Sequence, residues 1–202
     1  FNRYTDLRIS LGAIKKQLSN LDFNIASLIH IHVQVNGSID NTSNYLINSS
    51  ISSEIQNTGA LFTFKINSEN LGFDKNVALC IENSLSNYTL VFSDDDILYE
   101  DVIKKILPIL KDNISMVNFN FEMFPFYSKD KPLRRNSYSE KILSEKSFSS
   151  ILLFSKLSVF IYNTEIAKKI LPLLDYTSGF IHIELALRIA LNPIYSSIYS
   201  NL

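Results

Sequence analysis

Between residues 5 and 121 the chain alternates short β-branched apolar runs with stretches of helical spacing, and few folds accept that order. Leu7, Leu11, Ile14 and Leu18 recur on one helical face, predicting a helix over residues 5–20 capped by Thr5 or Asp6. Residues 25–35, IASLIHIHVQV, are apolar and β-branched almost throughout and stop at Asn36-Gly37-Ser38. A strand apolar on both faces belongs in a buried parallel sheet. Asp40-Asn41-Thr42 can cap a helix over 44–55, and residues 61–66 read as a strand. Asn70-Leu71-Gly72-Phe73 is a turn into a helix that reaches about residue 85. An apolar strand over 88–92 runs directly into Ser93-Asp94-Asp95-Asp96, followed by a helix over 100–110 and a strand over 115–121. This alternation implies βαβ units: an α/β fold with a mainly parallel central sheet covered on both faces.

The pattern changes after Phe121. Residues 123–140, MFPFYSKDKPLRRNSYSE, are polar, basic and carry two prolines, the profile of a long functional or mobile loop. A strand over 157–162 and helices over 164–174 and 182–191 follow. At 202 residues the chain fits one domain, on a scale of roughly 150 residues per domain. Lys plus Arg is 19 against Asp plus Glu 20, a net charge of −1, so a broad basic footprint for nucleic acid is not expected. Cys80 is the single cysteine, which excludes an intramolecular disulfide framework and a multi-thiolate zinc site. No apolar run reaches the roughly 18 residues of a membrane span, and Phe1 leads into a helical pattern rather than a signal peptide.

Asp94-Asp95-Asp96 is the most informative local feature. Three adjacent carboxylates repel one another, and they follow the carboxyl end of an apolar strand, where open α/β sheets bind ligands. Hard oxygens there suit Mg²⁺ or Mn²⁺ shared with a phosphate. A solvated turn that caps the next helix accounts for the triplet equally well.

Four segments, taken in order, add to that reading. Phe1-Asn2-Arg3 resembles the end of a "P-T-[YF]-N-R" turn, and Val35-Asn36-Gly37-Ser38-Ile39-Asp40-Asn41-Thr42 resembles "D-N-G-S-T-D-N-T". Asn67-Ser68-Glu69-Asn70-Leu71-Gly72-Phe73 resembles "N-P-E-N-L-G-F", and Tyr88-Thr89-Leu90-Val91-Phe92-Ser93-Asp94-Asp95-Asp96 resembles a strand that delivers a DxD-type metal motif. Together they resemble the family 2 glycosyltransferases of GT-A fold, most closely over residues 1–112. The resemblance implies a single GT-A domain whose nucleotide-sugar and metal-binding half is 1–112 and whose acceptor-binding half is 113–202. It implies that Phe1, Asn2, Arg3, Asn36, Asn70, Asp94 and Asp95 line a nucleotide-sugar pocket. Asp94, Asp95 and Asp96 would hold a divalent cation, Mn²⁺ or Mg²⁺, against the diphosphate. It also implies that the family's first strand lies ahead of Phe1.

Two departures matter. The family places a catalytic Asp in an "E-D-x-E-L-x-x-R" stretch, and the matching stretch here is Ile181-His182-Ile183-Glu184-Leu185-Ala186-Leu187-Arg188. Registration on Glu184, Leu185 and Arg188 puts His182 at the base position, and an imidazole of ordinary pKa about 6.5 can act there. Glu184 is the second candidate base. Val35 stands where the family commonly has an Asp that reads the nucleotide base, which leaves a UDP-sugar as the leading donor but weakens the uracil preference or shifts base recognition to Asn36.

Elsewhere, His30 and His32 share one strand face and read as structural, and Cys80 reads as an inert core thiol. Lys129, Lys131, Arg134 and Arg135, with Phe121, Phe124, Phe126 and Tyr127 beside them, read either as a solvated loop with core aromatics or as an acceptor lid near phosphate or membrane. The resulting expectation is an inverting glycosyltransferase that transfers a sugar to a glycan or lipid-linked acceptor in bacterial surface polysaccharide synthesis, of the capsule or lipopolysaccharide type. It would act in the cytoplasm, with peripheral contact at the inner face of the membrane. A nucleotidyltransferase and a non-catalytic nucleotide-sugar-binding relative are the alternatives.

Overall fold

The computed structural model describes residues 1–98, 101–110, 114–119 and 157–200. Helix α1 (Tyr4–Ser19) buries Leu7, Leu11, Ile14 and Leu18 on one face, as the spacing predicts. It starts earlier than expected: Arg3, not Thr5 or Asp6, is the residue before the first turn. The start is held by the Tyr4 N–H, which donates to Asp40 Oδ2 at 3.0 Å. A short helix α2 (Phe23–Ala26) takes the beginning of the predicted 25–35 strand. The Asp22 carboxylate accepts the Asn24 N–H at 2.8 Å and Ser27 Oγ donates to the Asn24 carbonyl at 2.8 Å. These local bonds win the backbone from the extended form.

Strand β1 (His30–Val35) pairs in parallel with β2 (Leu61–Ile66), from His30 opposite Leu61 to Val35 opposite Ile66. The helix expected over 44–55 is two helices, α3 (Thr42–Asn48) and α4 (Ile51–Gln56), separated where Ser49 turns extended at ψ 166°. Leu18, Leu46, Ile55, Phe62 and Val35 form the core between these helices and the two strands. Ile31 and Val33 pack against the same core.

The other face of β1 is polar, so the expectation of a strand apolar on both faces is corrected. The strand reads His-Ile-His-Val-Gln-Val, and strict alternation puts His30, His32 and Gln34 together. His30 Nδ1 accepts the Leu85 N–H at 3.4 Å, so its Nε2–H donates to Thr63 Oγ1 at 2.7 Å. The Thr63 hydroxyl donates in turn to His32 Nδ1 at 2.8 Å, and His32 Nε2–H reaches Gln34 Oε1 at 3.1 Å. Both imidazoles are thereby neutral links in one directed chain. Burial pushes both below the ordinary histidine pKa; His32 adds to this for His30, while Lys65 adds to it for His32 against the Gln34 bond.

Helix α5 (Phe73–Glu82) packs on β1 and leads to a second sheet. This sheet contains β3 (Tyr88–Leu90), β4 (Met116–Phe119), β5 (Phe160–Asn163) and β6 (Ser197–Ser200), in the order β3-β5-β4-β6. Helix α6 (Val102–Ile106) lies between β3 and β4 in sequence, α7 (Thr164–Ile170) follows β5, and α8 (Ile181–Ala190) precedes β6. The architecture is mixed α/β. The expected single, mainly parallel central sheet is corrected: the described strands form two sheets, the parallel pair β1-β2 and this four-stranded one, in which β5 runs antiparallel to both β3 and β4, while β4 and β6 are parallel. The regular alternation ends before β5, so the sequence carries no signal for that strand's direction. β6 is only four residues, Ser-Ile-Tyr-Ser, and its pattern is too brief to announce it.

Both faces of this sheet are covered. Phe160, Tyr162 and Met116 meet α5, α7 and α8 through Ile81, Ala167, Ile181, Leu185 and Ile189. Val117 and Ile161 face the opposite way, towards Ile106 and Ile114. Gln17 ties α1 to the segment around the start of α6, donating to the Leu98 carbonyl at 3.1 Å and accepting the Ile103 N–H at 3.3 Å. The basic loop, with Lys129, Lys131, Arg134, Arg135 and its aromatic neighbours, lies outside the described residues. No described helix is long and apolar enough to cross a membrane.

The β1 polar chain makes stability pH-dependent. The folded-state pKa of His30 and His32 lies below the unfolded value, so below about pH 6.5 the unfolded chain binds protons that the folded chain refuses. This contribution is complete above the unfolded value and is lost as pH falls through the folded values. Urea midpoints at pH 7.5 and 5.5 should fall with acid, and a His30→Gln/His32→Gln variant should show a smaller fall.

Candidate functional site

The loops after β1 and β3 meet residues 2–4 at one end of the molecule, and the loop after β2 meets the loop after β1. Asn36, directly after β1, is buried, and all four of its side-chain hydrogen-bonding positions are used. Its Nδ2 donates to Asn70 Oδ1 at 2.9 Å and to the Gly72 carbonyl at 3.1 Å. Its Oδ1 accepts the Leu71 N–H at 2.9 Å and Asn67 Nδ2 at 3.4 Å. The neighbouring Gly37 has φ +64°, and a Cβ there would sit 2.2 Å from the Glu69 carbonyl carbon. Glycine is what lets the two loops touch.

Residues 2–4 are bound to the same group of loops. The Asn2 N–H donates to Ser38 Oγ at 3.0 Å, and Asn2 Oδ1 accepts the Ile39 N–H at 2.9 Å. Asp40 holds the Tyr4 N–H with one oxygen and the Thr42 N–H and hydroxyl with the other, at 3.1 and 2.5 Å. Phe1 is half exposed and joins none of these bonds.

The acidic end contains its own cation. The Arg3 guanidinium donates to Asp95 Oδ2 and lies 3.8 Å from Asp94 Oδ1 and 4.0 Å from Asp6 Oδ2. The bond to Asp95 raises the Arg3 pKa against the cost of burial. The two carboxylates are driven in opposite directions. Burial pushes Asp94 above the ordinary range despite the nearby Arg3. Burial also acts to raise Asp95, but hydrogen bonds from the Ser93 hydroxyl and Arg3 outweigh it and leave its pKa lowered. Asp96 contributes its N–H to a turn on the Ser93 carbonyl at 3.2 Å, and its carboxylate is not among the partners of Arg3. Asp94 and Asp95 therefore share the Arg3 guanidinium. Among the described residues, no group of three or more His, Cys, Asp or Glu side chains is arranged to hold a metal ion.

His182 lies in the first turn of α8 and is buried. Its ring meets Phe73 edge-on at 5.7 Å and Phe180 at 6.4 Å, and both phenylalanines are exposed. Its carbonyl accepts the Tyr162 hydroxyl at 2.9 Å. Because Phe73 follows Gly72, His182 is one ring contact from the loop that Asn36 holds. Glu184 is committed to structure: Arg188 grips Oε1 at 3.0–3.1 Å and the Asp175 N–H reaches Oε2 at 3.0 Å. Val35 is buried in the α1 core. Cys80 packs against the larger core, and burial pushes its thiol up to about 12, in keeping with an inert thiol.

Asp74 was not legible as a site residue. It is an acidic residue in the first turn of a helix, an arrangement that the helix dipole alone would explain. Yet its two oxygens hold the entry to α8, accepting the Gly179 N–H at 2.7 Å and the Ile181 N–H at 3.1 Å. Asn76 and Gln34 complete the amide network that supports Asn67, with Asn67 Nδ2 reaching Asn76 Oδ1 at 3.2 Å and Gln34 Nε2 reaching Asn67 Oδ1 at 2.7 Å.

Gly37→Ala should destabilise the fold by at least about 2 kcal/mol, from left-handed backbone strain plus a clash with backbone that cannot move aside. Urea denaturation with an unchanged slope is the measurement. The chain matches no protein-family model and no curated relative.

Proposed function

We propose that this protein is an inverting, metal-dependent glycosyltransferase of the family 2, GT-A type, with a nucleoside-diphosphate sugar as donor. The observation that carries the reading is the meeting of residues 2–4, 36–40, 69–73 and 93–96 at the carboxyl ends of β1, β2 and β3. Ligands of open α/β sheets bind at that edge. Four sequence segments that resemble one family separately are thus neighbours in space.

A divalent cation suits the donor set, because Asp94 and Asp95 already converge on one positive group, the Arg3 guanidinium. Mg²⁺-type sites use one or two carboxylates and complete the shell with phosphate oxygens and water. When bound, the cation would offset charge on the departing diphosphate. On this reading Arg3 would supply a second positive charge to the same phosphates. The Asn36 loop would shape the nucleoside side, since Val35 is turned into the core and offers no acceptor.

His182 is the base on this reading. It would take the proton of the acceptor hydroxyl as that oxygen attacks the anomeric carbon and the diphosphate leaves. Glu184, tied to Arg188 and the Asp175 N–H, orients the start of α8 instead of taking the proton. The acceptor is a glycan or lipid-linked sugar of a bacterial surface polysaccharide, and the compartment is the cytoplasm.

UDP-, GDP- and CDP-sugars with Mn²⁺ should give release of nucleoside diphosphate with one donor. Asp95→Ala and His182→Ala should each lower turnover at least about 100-fold. Full activity in Asp95→Ala would remove the metal assignment. Pyrophosphate release would instead mark a nucleotidyltransferase, and tight donor binding without transfer would mark a non-catalytic relative.

A further inference from the structure

Asp74 is the second residue of α5 and only 4% exposed. A carboxylate this buried must be satisfied by hydrogen bonds or by a counter-charge. No described ion pair includes it. Its partners are the N–H groups of Gly179 and Ile181, more than 100 residues away in sequence. Ile181 opens α8, and the residue before it, Phe180, has no side-chain oxygen to cap the helix. Asp74 therefore does from α5 what an N-cap residue does locally. Gly179, at φ +73°, allows its amide to turn towards the carboxylate.

Three consecutive residues then have three linked tasks. The Gly72 carbonyl holds Asn36, the Phe73 ring meets the His182 ring, and Asp74 fixes the two amides that lead into His182. We infer that Asp74 is a positioning residue: it latches the start of α8 to the start of α5 and so sets His182 against the loop held by Asn36. The catalytic consequence rests on the glycosyltransferase reading, whereas the latch itself does not.

Asp74→Asn tests this with little change of shape. An amide presents one acceptor where the carboxylate presents two, so one of the two N–H groups meets an NH₂. Hydrogen exchange at Gly179, Ile181 or both should quicken about 10- to 100-fold, the loss expected for bonds to a charged acceptor. The His182 ring signals in NMR should shift. Affinity for UDP with Mn²⁺, measured by calorimetry, should stay within about twofold. The turnover number should fall about 10- to 100-fold with donor KM unchanged, because small displacements of a reacting group cost that much. Asp74→Ser, which keeps a single acceptor, should release at least one of the two amides, and it carries the test should the Asn variant not fold. Unchanged exchange at both amides and an unmoved His182 signal would overturn the inference. So would parallel losses of turnover and UDP affinity that follow a fall in melting temperature, the mark of general destabilisation. Faster amide exchange in a protein whose wild type transfers no sugar would support the latch and sink the glycosyltransferase reading alone.

Discussion

The carboxamide of Asn36 is the interaction on which the geometry of this end of the protein depends. It is buried and makes two donor and two acceptor contacts, all to the segment that follows β2. Asparagine is the side chain of this size that offers both roles at once. An aspartate there would lose the donors to Asn70 and Gly72, and a leucine would leave the Leu71 N–H without its bond. Either change exposes an unmet backbone or amide group to a low-dielectric interior, where the cost exceeds the net worth of the bond. The loops after two adjacent parallel strands are thus locked by one residue, and Gly37 beside it allows the approach.

The same end concentrates charge that the whole-chain balance of −1 conceals. Asp6, Asp94 and Asp95 lie within ion-pair reach of the Arg3 guanidinium. These groups are about half exposed, so the pairs contribute little to stability and are screened by salt. On the proposed reading, their role would be to select cations and phosphates. One carboxylate is biased towards its protonated form and its neighbour towards its charged form. Unlike environments around adjacent acids are a common signature of functional sites.

Much of this was visible in the sequence. The α1 stripe, the strand over 61–66, the Gly72 turn and the helix holding His182 follow from spacing and turn chemistry, and the structure keeps each to within a few residues. The misses have local physical causes. Asp22 and Ser27 convert the front of a predicted strand into a helical turn, and Ser49 splits a predicted helix. β-branched residues at 29, 31, 33 and 35 concealed the alternation that makes the other face of β1 polar. The candidate site was legible where it rests on contiguous residues, as at 36–40 and 93–96. It was illegible where the partners lie far apart: no spacing rule links Asp74 to Gly179, or Phe73 to His182.

α5 explains why these distant pairs share one site. One side of the helix faces the polar surface of β1, where Asn76 donates to the Gln34 carbonyl at 3.3 Å and Asn83 to Gln34 Oε1 at 3.0 Å. Its other side buries Val77, Ala78 and Ile81 against the four-stranded sheet and α8. Apolar packing on that second side tolerates small slips, since many arrangements bury similar area. The amide contacts on the first side do not, because a slip leaves polar atoms unsatisfied. Register along α5 is therefore set by the amides, and stability comes mainly from the apolar side. The first turn of α5 inherits that register, and the Asn36 loop and the entry to α8 both attach to it. Changes that loosen the amide side without touching the core should therefore disturb the site before they lower stability much.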